Sequence, residues 1–161
     1  MNSLYNTDYH QWLSQQVTLL KTQNFNQLDL ENLIEDLELS IKQDLRELEN
    51  RLSTLLTHLL KCNYQTSVLR ESTSTGRVLK GWMETIVRSR IKINKLVKEN
   101  PSLTSRIEDS LKQAYVDGKK GAIKEMNIYV LKKLDNNSFP DECPWSYEQI
   151  MTEDWYPLNG V

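Results

Sequence analysis

Residues 29–64 read DLENLIEDLELSIKQDLRELENRLSTLLTHLLKCNY, and their spacing decides the fold. Apolar side chains recur at Leu30, Ile34, Leu37, Ile41, Leu45, Leu48, Leu52, Leu55, Leu59 and Cys62. Every step is three or four residues, the repeat of one face of an α-helix. No Pro or Gly interrupts the run. A continuous helix of this length is about 50 Å long. Such a helix needs partners along its whole seam, so the other elements are expected to pack on it.

On the N-terminal side, Tyr5, Tyr9, Trp12, Leu13, Leu19 and Leu20 make a second apolar stripe. It predicts a helix over 7–23 with Asn6 or Thr7 as N-cap, and Asp29 then caps the long helix. On the other side, residues 65–76 are rich in Ser and Thr and read as a polar loop. Val78, Leu79, Trp82, Met83, Ile86, Ile93, Leu96 and Val97 predict a third helix over 77–99, with Gly81 suited to a close helix contact. Asn100-Pro101 ends it.

Ser102 suits the N-cap of a fourth helix over 103–126, whose buried face is Leu103, Ile107, Leu111, Tyr115, Gly118 and Ala122. Gly118 and Gly121 weaken that helix by up to ~1 kcal/mol each relative to Ala, which suggests close backbone approach. Residues 128–134 fit either a short helix or an extended strap. The tail from Asn136 is turn-rich, with one short helix over 147–153 announced by Ser146 and Gln149 as a capping box. Phe139, Trp145, Trp155 and Tyr156 would anchor it. The expected fold is all-α: a helical bundle organised on the 29–64 helix, with an irregular C-terminal tail, in one domain spanning residues 1–161.

Composition narrows the function classes. Five Gly and four Pro are too few for an all-β chain, which turns every 8–12 residues. A net charge of −2 does not mark a protein coated by nucleic acid. No segment is long and apolar enough to span a bilayer, and the N-terminus lacks the basic and apolar regions of a signal peptide. Cys62 and Cys143 form no CxxC or zinc spacing. Cys62 falls on the apolar seam as a small hydrophobe. A cytoplasmic setting follows from these features.

Several stretches, taken together and in order, resemble a bacterial family common in cyanobacteria and catalogued as domain of unknown function twenty-nine. They are Asp29-Leu-Glu-Asn-Leu-Ile-Glu35, His58-Leu-Leu-Lys61 after Arg51, Trp82 with Thr85-Ile86, Asn100-Pro101-Ser102-Leu103, Ala114-Tyr115 and Phe139-Pro140-Asp-Glu-Cys143-Pro144. The likeness runs from Leu4-Tyr5 to Trp155-Tyr156-Pro157. This chain departs from the family at Ile41, where a Gly is common, and at Cys62, where an aromatic is common. The resemblance implies an all-α domain and brings no activity with it.

Three constellations could carry function. Arg51 and His58 lie two turns apart at the margin of the seam, with Glu47 one turn before Arg51. The spacing is similar to the Arg-x(4–6)-His motif of the HEPN ribonucleases. There the His would move the proton of a ribose 2′-hydroxyl and the Arg would stabilise the phosphorane. The competing reading is an i,i+4 Glu47–Arg51 pair beside a His at the core edge, and it is the one favoured. Second, Glu31, Glu35 and Glu38 share a flank, but no Glu-x-x-His pair accompanies them, so neither metal nor any other cofactor is expected.

Third, charge is segregated. Residues 29–49 hold eight acids against Lys42 and Arg46, while 70–98 hold eight bases (Arg70, Arg77, Lys80, Arg88, Arg90, Lys92, Lys95, Lys98) against Glu71 and Glu84. Arg77, Lys80, Arg88, Lys92 and Lys95 form one stripe, which could track a phosphate backbone or meet an acidic partner. The leading expectation is a non-catalytic interaction or adaptor protein, its partner another protein or a second copy in a homodimer. A metal-independent ribonuclease using Arg51, His58 and Glu47 is the first alternative, and nucleic-acid binding by the basic stripe the second.

Overall fold

A computed structural model describes residues 3–69 and 75–158, and every regular element in them is helical. Six α-helices follow in order: α1 (Leu4–Thr7), α2 (Tyr9–Lys21), α3 (Leu30–Tyr64), α4 (Thr75–Glu99), α5 (Ile107–Met126) and α6 (Tyr147–Met151). The expected long helix forms without a break near Ser40 or Ile41. The chain divides into two compact units, Met1–Asp44 and Leu45–Val161, and the division falls inside α3.

In the first unit the expected 7–23 helix forms as α2, Tyr9–Lys21, and a separate short helix, α1, precedes it. Asp8, rather than Asn6 or Thr7, caps α2, its carboxylate accepting from the Gln11 N–H at 3.0 Å. The chain turns at Asp8 because that bond gives a helix N-terminus a better acceptor than continuation would. Trp12 is 2% exposed and donates its indole N–H to Asp29 at 3.0 Å. Gln16 accepts from the Asp29 N–H at 2.9 Å, and the Tyr9 hydroxyl donates to Asp36 at 2.8 Å. Tyr5 meets Trp12 edge-on at 4.7 Å. Hydrogen bonds from Asn32 and Trp12 hold the Asp29 carboxyl below its ordinary range.

These bonds fasten α2 to the side of α3 that bears Asp29 and Asp36, which is not its apolar seam. Leu30, Ile34, Leu37 and Ile41 therefore stay 56–71% exposed. The expectation that the seam is covered along its whole length is corrected here. A polar and aromatic face took the neighbouring helix instead.

In the second unit the seam is buried. Leu48, Leu52, Leu55, Leu56, Leu59 and Cys62 are 0% exposed. Burial pushes the Cys62 thiol up to about 12, so it remains an uncharged packing group. The expected buried face of α5 is buried throughout. A Cβ at Gly118 would stand 3.0 Å from the Leu56 Cβ and 3.1 Å from the Ser53 carbonyl oxygen, and one at Gly121 2.8 Å from the Thr57 hydroxyl. The Thr57 hydroxyl donates to the Gly118 carbonyl at 3.2 Å. Both glycines are thus contact points between α5 and α3. Gly81 is not, since nothing lies within 4 Å of the equivalent position there.

Other boundaries move. Residues 65–69, expected to open a polar loop, continue α3 as a π-helical turn, with Gln65 and Thr66 buried. The Thr66 hydroxyl donates to the Cys62 carbonyl at 2.9 Å, a bond back along the helix that satisfies a side chain without leaving it. The rest of that expected loop, up to residue 74, lies outside the described residues, and α4 begins at Thr75. Pro101–Arg106 form 3₁₀ turns, so Ser102 sits inside them rather than capping a helix, and α5 starts at Ile107. Residues 128–134 form a strap of turns and bends. Val130 and Leu134 face inward while the Asn127 amide brackets Leu134, accepting from its N–H at 2.7 Å and donating to its carbonyl at 3.0 Å. Ser146 caps α6 through the Gln149 N–H, but the helix ends at Met151, two residues early.

The end of the tail is gathered by Arg90. Arg90 is 3% exposed and donates to the carbonyls of Ile150 (2.8 Å), Glu153 (2.7 Å) and Trp155 (2.6 Å), with Tyr156 stacked at 5.1 Å. A guanidinium can reach three carbonyls at once because its donors form a rigid fork. Trp145 meets Trp155 edge-on at 5.5 Å beneath this clasp. Arg90→Lys keeps the charge and loses the fork. It should cost about 2–3 kcal/mol in urea unfolding and expose residues 152–158 to limited proteolysis. Unchanged stability together with an uncut tail would contradict the clasp.

Candidate functional site

Glu47, Arg51 and His58 all lie on the second-unit part of α3. The Arg51 guanidinium is held by Glu47 through both Nε, at 2.9 Å, and Nη2. His58 turns back on its own helix, its Nδ1 2.9 Å from the Thr54 carbonyl oxygen. That contact places a proton on Nδ1 and leaves Nε2 as the lone-pair nitrogen. Burial, reinforced by the Lys61 cation, lowers the His58 pKa, so the ring is neutral near pH 7. Among the described residues no hydrogen bond joins His58 to Arg51 or Glu47. The imidazole could accept a proton, but a guanidinium already committed to a carboxylate is a poor holder of phosphate charge.

The basic stripe sits on the open side of α4. Arg77, Lys80, Arg88, Lys92 and Lys95 are all exposed, and Lys95 reaches Glu99 at 3.8 Å. Arg70 lies outside the described residues. The stripe borders an open apolar groove of about 730 Å³ lined by Leu79, Met83, Val87 and Leu158, with Lys80, Glu84 and Arg88 also lining it. Val87 and Ile91 on this helix are 42% and 61% exposed. Charges of both signs beside an apolar floor suit an amphipathic protein segment better than a bare phosphate backbone. Glu31, Glu35 and Glu38 are exposed on the first-unit part of α3, beside the open seam.

Three buried cations escaped the sequence reading. Lys61 is 5% exposed, pairs with Glu125 at 2.5 Å and stands 4.5 Å from the centre of the Trp82 ring. Lys119 donates to the Pro140 carbonyl at 3.0 Å, and Tyr115 donates to the same oxygen at 2.7 Å. Arg90, one of the eight bases of residues 70–98 and not part of their stripe, is the third. A signal was present: Arg90 keeps the register of Ile86, Ile93 and Val97, and Lys119 that of Tyr115 and Ala122. A charge at an apolar register position marks a buried, partnered group.

The family described as "Domain of unknown function DUF29" matches residues 4–156. No match is found among curated proteins or among solved structures.

Two outcomes test the geometry. Because folding lowers the His58 pKa from 6.5, the unfolded chain takes up the proton first as pH falls. Stability from this residue is therefore complete above pH 6.5 and declines below it. His58→Gln should lose less stability than the parent between about pH 7.5 and about pH 5.5 in chemical denaturation, and equal losses would refute the assignment. For the Lys61 pair, Glu125→Ala strands a buried ammonium and should cost about 2–3 kcal/mol, whereas Lys61→Met leaves a half-exposed carboxylate and should cost about 1 kcal/mol. The reverse order would refute the burial asymmetry.

Proposed function

The chain belongs to the DUF29 family, and on that footing we propose that it is a non-catalytic interaction or adaptor protein. One observation carries this reading: Leu30, Ile34, Leu37 and Ile41 form a continuous apolar stripe, 56–71% exposed, on a helix that buries its apolar residues from Leu48 to Cys62. Isolated exposed leucines need no explanation, but a register-perfect stripe over three turns costs solubility unless something covers it. Its acidic flank gives a partner charge selectivity and a faster approach.

The state of Arg51 points the same way. Its ion pair with Glu47 withdraws the cation that cleavage of a phosphodiester would require. No described helix is long and apolar enough to cross a membrane. The cytoplasm is the setting we assign, because Cys62 and Cys143 are free thiols.

The test is recovery of a bound protein from the native host with the parent chain and with Leu37→Asp/Ile41→Asp. Both positions are exposed, so folding stability should change by no more than about 0.5 kcal/mol. The same protein should be captured repeatedly by the parent and lost from the variant. Capture that is indifferent to the stripe would refute the reading. So would RNA cleavage in EDTA that disappears in His58→Ala.

A further inference from the structure

Independently of the α3 stripe, we infer that the π-helical turn after α3 builds a pocket for the C-terminus of another polypeptide, taking one large apolar residue with its peptide group and free carboxylate. The turn spans Gln65–Leu69. The Thr66 and Ser67 hydroxyls donate to the Cys62 and Asn63 carbonyls, at 2.9 and 2.6 Å. Those are the carbonyls that the α-helical N–H groups of residues 66 and 67 would take, and competition for them favours a wider turn. Between this turn, the start of α4 and the 128–134 strap lies a cavity of about 350 Å³, walled by Val68, Leu69, Val78 and Val130.

Gln65 lines this cavity. It continues the buried register of Leu59 and Cys62 and is 4% exposed, yet its carboxamide makes no hydrogen bond among the described residues. Folded proteins keep few buried amides unpaired, because the lost hydration is not repaid. The Ser110 hydroxyl is sealed away from any partner; the Gln65 carboxamide is not, and the cavity is its opening. It presents a donor and an acceptor side by side. Hydrocarbon would meet neither, and a carboxylate would meet the donor alone. A peptide group meets both.

Lys132 lines the same cavity, is exposed, and has no ion pair or hydrogen bond among the described residues. No carboxylate is among the lining residues, and the Glu125 charge that reaches Tyr129 is already paired with Lys61. The site therefore takes an anion. A free amino acid is excluded, since its ammonium would find no acid. At ~30 Å³ per water-sized group the cavity holds roughly a dozen non-hydrogen atoms, about one large residue. An apolar side chain, a peptide group and a carboxylate lie that close together at a chain terminus. At the mouth, Leu131 is fully exposed and Val68 57% exposed, and they suit the apolar residues just upstream. A nucleotide would also bring a paired edge and an anion, but it would set ribose against these side chains.

The test uses hexapeptides randomised over their last three residues, captured on the immobilised full-length chain and sequenced. Retained peptides should end in Phe, Leu, Ile or Val. Converting the terminal carboxylate of a retained peptide to an amide should weaken binding at least about tenfold, and Lys132→Glu should weaken the free acid similarly while leaving the amide form unchanged. Gln65→Leu should also lose about tenfold in affinity. Its urea midpoint should be no lower than the parent's, because no bond within the chain is broken.

A library that yields no apolar C-termini overturns the inference, as does equal binding of acid and amide. So does a lowered urea midpoint in Gln65→Leu, which would show the carboxamide paired within the fold, or unchanged affinity in that variant. AMP that displaces the peptide from the parent, and binds Gln65→Leu more weakly, would assign the pocket to a nucleotide instead. None of these results bears on capture through Leu37 and Ile41, so the interaction reading stands or falls separately.

Discussion

Everything in the second unit depends on how closely α5 can approach α3. Gly118 and Gly121 remove the side chains that would otherwise meet Leu56, Ser53 and Thr57, and the helices close to backbone contact distance. That approach takes Leu52, Leu55, Leu56, Leu59 and Leu60 to between 0% and 1% exposure. Burying one leucine fully contributes roughly 1.5–3 kcal/mol, far more than the ~1 kcal/mol each glycine costs its own helix. The weak helix positions are therefore where the core is tightest.

A core this tightly closed has little room for unpaired charge, yet Lys61, Arg90 and Lys119 lie within it. Each is satisfied by a different device: a carboxylate and an indole face, a fan of three carbonyls, and a carbonyl shared with a tyrosine hydroxyl. Two of the three fasten irregular chain to regular helix. The tail from residue 139 onward has few backbone partners of its own, so the buried cations collect its carbonyls. This gives the family-like residues around Pro140 and Trp155 a structural reason to be there.

The first unit solves a different problem. Its helices are joined by Trp12, Gln16, Tyr9 and two aspartates instead of by leucines. A hydrogen-bonded aromatic contact is directional, and here it selects the polar side of α3. The cost is an uncovered apolar stripe, Leu30 to Ile41.

Sequence periodicity by itself determined the all-α class, the unbroken α3 and the inward face of α5, because 3.6-residue repetition is a local property that survives without knowledge of neighbours. The Glu47–Arg51 pairing was legible for the same reason, being one turn of one helix. Cap positions were half legible: Asp29 and Ser146 read correctly, while Asp8 and the 3₁₀ turn at Pro101 depended on which of several capping-competent residues the backbone reached first. The destination of each face was not legible. Leu30–Ile41 and Leu48–Cys62 have the same period and similar composition, yet one is open and the other buried. What separates them is a set of contacts made by residues distant in sequence, Trp12 with Asp29 on one half and Gly118 with Leu56 on the other. A periodic pattern states that a helix has an apolar side; only the tertiary structure decides what, if anything, lies against it.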